Sequence, residues 1–167
     1  MPYFEVIKMN LRQTDLNLLY PKFKLKVESL LTAAKNSGLQ VNVYESFRYL
    51  VRQAELLDQG RPFPWAVSAS TLPKVTSAFP GEGLHSYGLA VDIIFNKATG
   101  YAHGWDSKHP WAALGKLGEA EGLTWGGTFK SFDGPHFEYR IPQGFDLKYH
   151  YKKGGLVEVW NELDKIK

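Results

Sequence analysis

The chain contains no cysteine, so it has neither disulfides nor thiolate metal ligands. Any bound metal must therefore be held by histidine and carboxylate side chains. No run of five or more lysines and arginines occurs, which argues against an extended nucleic-acid-binding stripe. No stretch is long and apolar enough to span a membrane, and the N-terminus lacks a basic segment followed by an apolar run. We therefore expect no nucleic-acid partner and no membrane span.

What is present favours one folded domain. Of the 167 residues, 44% are hydrophobic and 14% aromatic, which excludes a disordered chain. Twenty basic and 17 acidic residues give a net charge of +3, which would suit an anionic polymer without requiring one. We expect a monomer with a single domain over residues 1–167, whose core lies at 15–141 and whose C-terminal tail, 142–167, carries a short helix.

Hydrophobic periodicity predicts an α+β fold, with helices packed on a small, mostly antiparallel sheet. Apolar stripes predict helices at residues 15–36, 49–59, 110–121 and 156–166. Because proline is tolerated near a helix start, the first helix becomes regular at Tyr20 or Pro21. Apolar or alternating runs predict strands at residues 39–44, 89–95, 123–125 and 136–141. The proline-rich connection at 61–83 is our candidate for a wall or lid of a binding site.

Two histidines and one aspartate stand in the two most chemically crowded motifs. The first motif, HSYGLAVD, runs from His85 to Asp92, and the second, DGPHFE, contains His136. Asp92 lies in an apolar strand, where a buried carboxylate is costly unless a partner such as a cation offsets its desolvation. Three protein ligands of this kind leave the fourth tetrahedral position of a zinc ion free for water. The motifs therefore predict a catalytic zinc site.

The spacing within each motif indicates its geometry. We expect His85 in the loop before the strand and Asp92 inside the strand, with Gly88 permitting the bend between them. Alternation places His136 and Glu138 on one face of their strand, turned away from the core. A further carboxylate, Asp133, lies three residues before His136 across a tight turn. That position suits a general base that is not itself a ligand.

Each of these residues also has an ordinary explanation when taken alone. A single histidine before a Tyr-Gly turn is usually a surface or satisfied core residue, and Asp-Gly-Pro is common turn chemistry. Asp92 could instead pair with an arginine. Residue chemistry therefore leaves a metal-free α+β domain open. The remaining histidines, His103, His109 and His150, are expected in solvated positions.

Several runs, in the correct order, resemble the M15 peptidases, a family of zinc enzymes that cut peptidoglycan peptides. The runs are ESFR from Glu45, KVTSA from Lys74, HSYGLAVD from His85, LTWGG from Leu123 and DGPHFE from Asp133. The similarity covers residues 15–141 and implies a zinc-peptidase architecture of the Hedgehog and D,D-peptidase type.

The resemblance also implies roles for individual residues. His85, Asp92 and His136 would bind Zn²⁺, Asp133 would be the catalytic base, and Arg48 would contact the substrate near the scissile carbonyl. Further substrate contacts are expected from Gln53, Ser77, Tyr87 and Trp125. The spacing most resembles the L-alanyl-D-glutamate endopeptidases of bacterial cell walls and phage endolysins. The implied reaction is hydrolysis of peptidoglycan stem peptides between L-Ala and D-Glu.

Two positions depart from the family pattern. Gly83 stands where a serine is usual, which removes a hydroxyl expected to meet the substrate, and Thr128 stands where an aspartate is frequent. Two alternative functions stay open: a D-alanyl-D-alanine carboxypeptidase, and a zinc-bearing module that binds without hydrolysis. We expect either synthesis in the cytoplasm and action on the wall, as for a phage lysin, or export by a signal absent from this sequence.

Overall fold

Four helices and a four-stranded sheet form within the residues that the computed structural model describes, 12–59, 75–96 and 104–166. The helices are α1 (Pro21–Asn36), α2 (Leu50–Asp58), α3 (Trp111–Ala120) and α4 (Leu147–Lys165). The strands are β1 (Val41–Glu45), β2 (Ala90–Phe95), β3 (Thr124–Trp125) and β4 (His136–Glu138). No helix within these ranges is both long and apolar enough to cross a membrane.

The sheet has the order β1-β2-β4-β3, and each neighbouring pair is antiparallel. This confirms the predicted α+β class. β2 has a neighbour on each side, which explains why its apolar run is almost entirely buried. In the β2–β4 register, Asp92 lies directly opposite His136. Strand pairing therefore brings together two residues that are far apart in the sequence.

The core lies between one face of the sheet and helices α1 and α3. The helix α1 begins at Pro21, as predicted, and buries Phe23, Val27, Leu30 and Ala34. Phe137 of β4 is fully buried in the same core cluster. Because side chains alternate along a strand, the neighbours of Phe137 project from the opposite face of the sheet. The site described below lies on that opposite face.

The C-terminal helix α4 is longer than the sequence pattern predicted. It begins at Leu147 rather than near residue 156, and its backbone is non-helical at Gly154 and Gly155, where the φ of Gly155 is 68°. This kink interrupts the apolar periodicity, so only the segment after it had a recognisable helical stripe. The last two strands are also shorter than predicted, because β3 begins at Thr124 and β4 ends at Glu138.

The prediction that the remaining histidines are solvated was wrong for His109. This residue is buried and stacks on Phe95, with ring centroids 4.4 Å apart. His150 is half-buried and stacks on Phe145 at 4.8 Å. In both cases an aromatic neighbour covers the imidazole, a contact that sequence spacing does not reveal. His103 lies outside the described residues.

We expect Gly118→Ala to lower the free energy of unfolding by up to about 2 kcal/mol, because overpacking the contact between α3 and β4 costs about 1–3 kcal/mol. A Cβ at Gly118 would lie 2.4 Å from Cε1 of Phe137. This cost should exceed the gain of about 1 kcal/mol from replacing a helical glycine. Urea denaturation measures the change. The neighbouring exposed variant Glu119→Ala is the control, and a Gly118→Ala protein as stable as wild type would contradict the packing.

Candidate metal centre

His85 lies in a short 3-10 turn, Leu84–Tyr87, just before β2. Gly88 ends the turn in the left-handed region, with φ 67°, as predicted. Nδ1 of His85 lies 3.0 Å from the carbonyl oxygen of Ser46, which can only accept a hydrogen bond. Nδ1 therefore carries the proton and donates it. In a neutral ring the lone pair is then on Nε2, which is buried and faces Oδ1 of Asp92.

Asp92 and His136 complete a set of three potential ligands. Oδ1 of Asp92 lies 3.3 Å from Nε2 of His85 and 2.9 Å from Nδ1 of His136. Two atoms bound tetrahedrally to one zinc ion, each at about 2.0–2.1 Å, would lie roughly 3.3 Å apart. The three ligand atoms lie within 4.8 Å of one another. The donor set and its spacing, with a lone pair of His85 free, therefore fit a zinc ion.

The electrostatics of the site favour an ionised Asp92. Although burial opposes ionisation, the positive charge that His85 and His136 carry when protonated, and the hydrogen bonds from their rings, hold the pKa of Asp92 well below its usual range. Burial likewise opposes a charge on His136, but hydrogen bonds to Asp92 and Glu138 raise its pKa to about 10. The carboxylate is thus available as an anionic ligand throughout the neutral range.

Arg48 is held by three side chains at the edge of this set. Its Nε and Nη2 donate to Oε2 of Glu45 at 2.9 and 2.5 Å, and Nη2 also donates to Oδ2 of Asp92 at 3.2 Å. Nη1 donates to Oε1 of Gln53 at 3.1 Å. One donor from Nε, two from Nη2 and one from Nη1 thus engage four of the five guanidinium N–H groups. Arg48 therefore contacts the second oxygen of a candidate ligand, and one of its N–H groups makes no hydrogen bond to the described residues.

Glu45 is a functional candidate that the sequence analysis missed. Its side chain is only 1% exposed and accepts bonds from both Arg48 and Arg52. The sequence did contain a sign of this role, because Glu45 ends a predicted half-buried strand. Like Asp92 in β2, a carboxylate at such a position needs a partner. Glu45 anchors the guanidinium that contacts Asp92.

Asp133 is held beside His136 by the backbone of its turn. Its N–H donates to the carbonyl oxygen of Gly126 at 3.0 Å, and its own carbonyl oxygen accepts from the N–H of His136 at 3.2 Å. Gly126 has no room for a side chain, since a Cβ would lie 2.5 Å from the carbonyl oxygen of Asp133. Although the residue as a whole is exposed, neighbouring groups partly shield its carboxylate from water, which raises the pKa of Asp133 against the attraction of His136. A carboxylate so placed is better suited to accept a proton.

A cavity of about 650 Å³ opens over these groups. It is bounded on one side by the candidate ligands, Asp133 and Glu138, and on the other by Tyr44 and Trp105, whose rings meet edge to face at 4.7 Å. The described part of the 61–83 connection lines the cavity through Val75, Thr76, Ala78 and Gly83. Residues 61–74 lie outside the described residues, so a lid there stays a prediction.

Gln53 lines the cavity, but its amide is engaged by the protein. The residue is 1% exposed, and Nε2 donates to the carbonyl oxygen of Ala78 at 2.8 Å while Oε1 accepts from Arg48. Gln53 thus ties the 75–83 segment to the arginine. The cavity wall also includes Gly83, so the hydroxyl absent at that position would have stood close to a substrate.

Three other predicted substrate contacts do not line the cavity. The hydroxyl of Tyr87 donates to the carbonyl oxygen of Gly81 at 2.7 Å, and Nε1 of Trp125 donates to that of Gly134 at 2.7 Å. Both rings therefore brace turns that carry site residues. Ser77 is exposed and does not line the cavity, although its neighbours Thr76 and Ala78 do.

A second cluster with metal-binding spacing lies on α4 and consists of His150, Glu158 and Glu162. Its carboxylates already face cations, with Lys153 2.7 Å from Glu158 and Lys165 2.5 Å from Glu162. The residues of this cluster are only half-buried and do not line the cavity, whereas His85 and Asp92 are buried and line it together with His136. The first cluster is therefore the better candidate.

Two imidazoles and a carboxylate at zinc-binding distances, with a spare acid in the same cavity, define a metallohydrolase. A family model described as D-alanyl-D-alanine carboxypeptidase matches residues 80–139. The peptidoglycan L-alanyl-D-glutamate endopeptidase CwlK of Bacillus subtilis is 34% identical over 128 residues, which cover 72% of each chain. The chain belongs to the M15 peptidase family.

Solved structures support the same fold. The L-Ala D-Glu endopeptidase ChiX of Serratia marcescens superposes with a TM-score of 0.53 at 22% identity, covering 78% of this chain and 87% of that one. A Zn(II)-bound mutant of the vancomycin-resistance D,D-pentapeptidase VanY, from a VanB-type cassette, gives a TM-score of 0.51 at 19% identity, covering 83% and 81%. These likenesses confirm the predicted peptidase architecture.

Proposed function

We propose that this protein is a zinc-dependent peptidase that hydrolyses peptidoglycan stem peptides between L-Ala and D-Glu. The observation that carries the proposal is the ligand set of His85, Asp92 and His136, with Asp133 lining the same cavity. CwlK and ChiX, both named as L-Ala-D-Glu endopeptidases, support the choice of bond. The Zn(II) in the VanY structure supports the choice of metal.

In this mechanism His85, Asp92 and His136 hold the metal. A zinc ion supplies two things when bound: a lowered pKa of its water, to about 7, and polarisation of a carbonyl oxygen. Asp133 accepts the proton of the attacking water at a carboxylate oxygen and then donates it to the leaving amine. Arg48 offers its one remaining N–H to the oxyanion that develops at the scissile carbonyl.

Arg48→Lys should lower kcat/KM for a muropeptide by about a hundredfold. An ammonium group cannot contact Glu45, Gln53 and Asp92 at once, so both the Asp92 support and the oxyanion contact are disturbed. Steady-state kinetics with zinc in excess measures the loss. Arg140→Lys, an exposed arginine outside the cavity, is the control. Activity within a few-fold of wild type in Arg48→Lys would remove Arg48 from the mechanism.

A second candidate function, D-alanyl-D-alanine carboxypeptidase, is favoured by the description of the family model that matches residues 80–139. Digestion of a defined pentapeptide muropeptide, followed by mass spectrometry, distinguishes the two bonds. Fragments that end in L-Ala and begin with D-Glu are expected. Release of free D-Ala alone would replace the endopeptidase with the carboxypeptidase, and an intact muropeptide in the presence of bound zinc would favour a binding module.

A further inference from the structure

Glu138 contacts the candidate ligand His136 on the side away from the other two ligands. Nδ1 of His136 lies 2.9 Å from Oδ1 of Asp92, and Nε2 lies 2.9 Å from Oε1 of Glu138. The two residues are separated by one position in β4, which places both side chains on the cavity face of the sheet. The imidazole is therefore held at both nitrogens by carboxylates.

We propose that Glu138 is a positioning residue for the metal ligand, and this inference rests on the proposed function. Its carboxylate accepts the Nε2–H of His136, so Nδ1 is the nitrogen that would give up its proton when a metal ion binds. A hydrogen bond from the second ring nitrogen to a carboxylate is the usual support of a zinc-bound histidine, because it orients the ring and increases its basicity. Among the described residues, Glu138 is the one that forms a hydrogen bond with Nε2 of His136.

The two imidazoles of the site are supported differently. Nδ1 of His85 donates to a neutral carbonyl oxygen, that of Ser46, within a buried turn. His136 is instead supported by a charged side chain that is 24% exposed and borders the substrate cavity. The backbone contact cannot be removed by substitution, but the Glu138 contact can. Glu138 is therefore the point at which metal affinity can be changed without altering any ligand.

The position of Glu138 argues against two other roles. It is not in the group of ligand atoms that could share one ion with His85 and Asp92. It also approaches the ring nitrogen remote from Asp92, whereas a general base must reach the water on the metal side. Asp133 supplies a carboxylate for that purpose, with a pKa raised by shielding from water.

The test is the zinc affinity of full-length Glu138→Ala and Glu138→Gln, measured by competition with a chromophoric chelator. For Glu138→Ala we expect the zinc Kd to rise about tenfold to a hundredfold. Glu138→Gln should lie between Glu138→Ala and wild type, because its amide oxygen still accepts the Nε2–H. Glu119→Ala, on the exposed face of α3, should keep the wild-type Kd. Peptide hydrolysis by Glu138→Ala should recover when free zinc is raised above the new Kd.

Thermal denaturation of the metal-free variants shows whether Glu138 stabilises the whole fold or only positions His136. If Glu138 only positions His136, the denaturation midpoint of metal-free Glu138→Ala stays near that of the metal-free wild type. An unchanged zinc Kd in Glu138→Ala, with activity lost at saturating zinc, would overturn the proposal and assign Glu138 to the substrate. Zinc affinity is measured without substrate. A wild-type protein that binds zinc but cuts no peptidoglycan would therefore refute the proposed function while the Glu138 result stands.

Discussion

Asp133→Asn should lower kcat about 10²- to 10⁴-fold while zinc binds with unchanged affinity. Asparagine has nearly the same shape as aspartate, so the turn bonds from Asp133 to Gly126 and His136, which use backbone atoms, should persist. What the substitution removes is the carboxylate that accepts the proton of the attacking water. Because Asp133 is not among the candidate ligands, the metal site should be unaffected.

The measurement pairs single-turnover hydrolysis of a muropeptide with zinc titration of the same preparation. Asp146→Asn is the matched control, because Asp146 caps α4 outside the cavity and asparagine caps a helix equally well. A wild-type rate in Asp133→Asn would show that the base lies elsewhere. Loss of zinc in Asp133→Asn would make Asp133 a ligand.

His85→Ala should abolish stoichiometric zinc binding and, with it, hydrolysis. The substitution removes one of the three candidate ligands. Loss of a residue that only supports a ligand raises the Kd of a metal site by about tenfold to a hundredfold, and loss of a ligand should raise the zinc Kd further. Thermal denaturation provides an independent readout. Zinc at about 100 times the wild-type Kd should stabilise the wild-type protein by about 2.7 kcal/mol and leave His85→Ala almost unchanged.

The control for this variant is His150→Ala, which removes the histidine of the second cluster on α4. It should keep one zinc ion at wild-type affinity and full activity. The reverse pattern, with zinc retained by His85→Ala and lost by His150→Ala, would move the metal centre to His150, Glu158 and Glu162. Both proteins should be compared metal-free first, because His85 is buried and its removal leaves space in the turn.

Much of the fold was predictable because its elements have regular hydrophobic patterns. The helix from Pro21 and the buried strand β2 were identified by apolar spacing, and Gly88 was identified as the bend that its φ of 67° requires. The kink at Gly154 and Gly155 was not predictable in the same way, since it removes the periodicity on which the prediction depends.

The candidate ligands were predictable because a carboxylate inside an apolar strand needs a partner, and because the two motifs together resemble those of the M15 peptidases. The support around them was harder to predict. The contact of Arg48 with Asp92 depends on the pairing of β1 with β2, which places Glu45 opposite Asp92. Substrate contacts were expected from Tyr87 and Trp125 with the family resemblance, and in the structure each ring hydrogen-bonds a backbone carbonyl outside the cavity. Sequence spacing does not say which side of a turn a ring occupies.

The central claim is tested most directly by adding zinc to the metal-free protein in the presence of purified peptidoglycan and identifying the released fragments by mass spectrometry. The account predicts no release without metal, and cuts between L-Ala and D-Glu that reach their maximum at one zinc per chain. Intact peptidoglycan with one zinc bound per chain, or equal cutting by the metal-free protein, would contradict it.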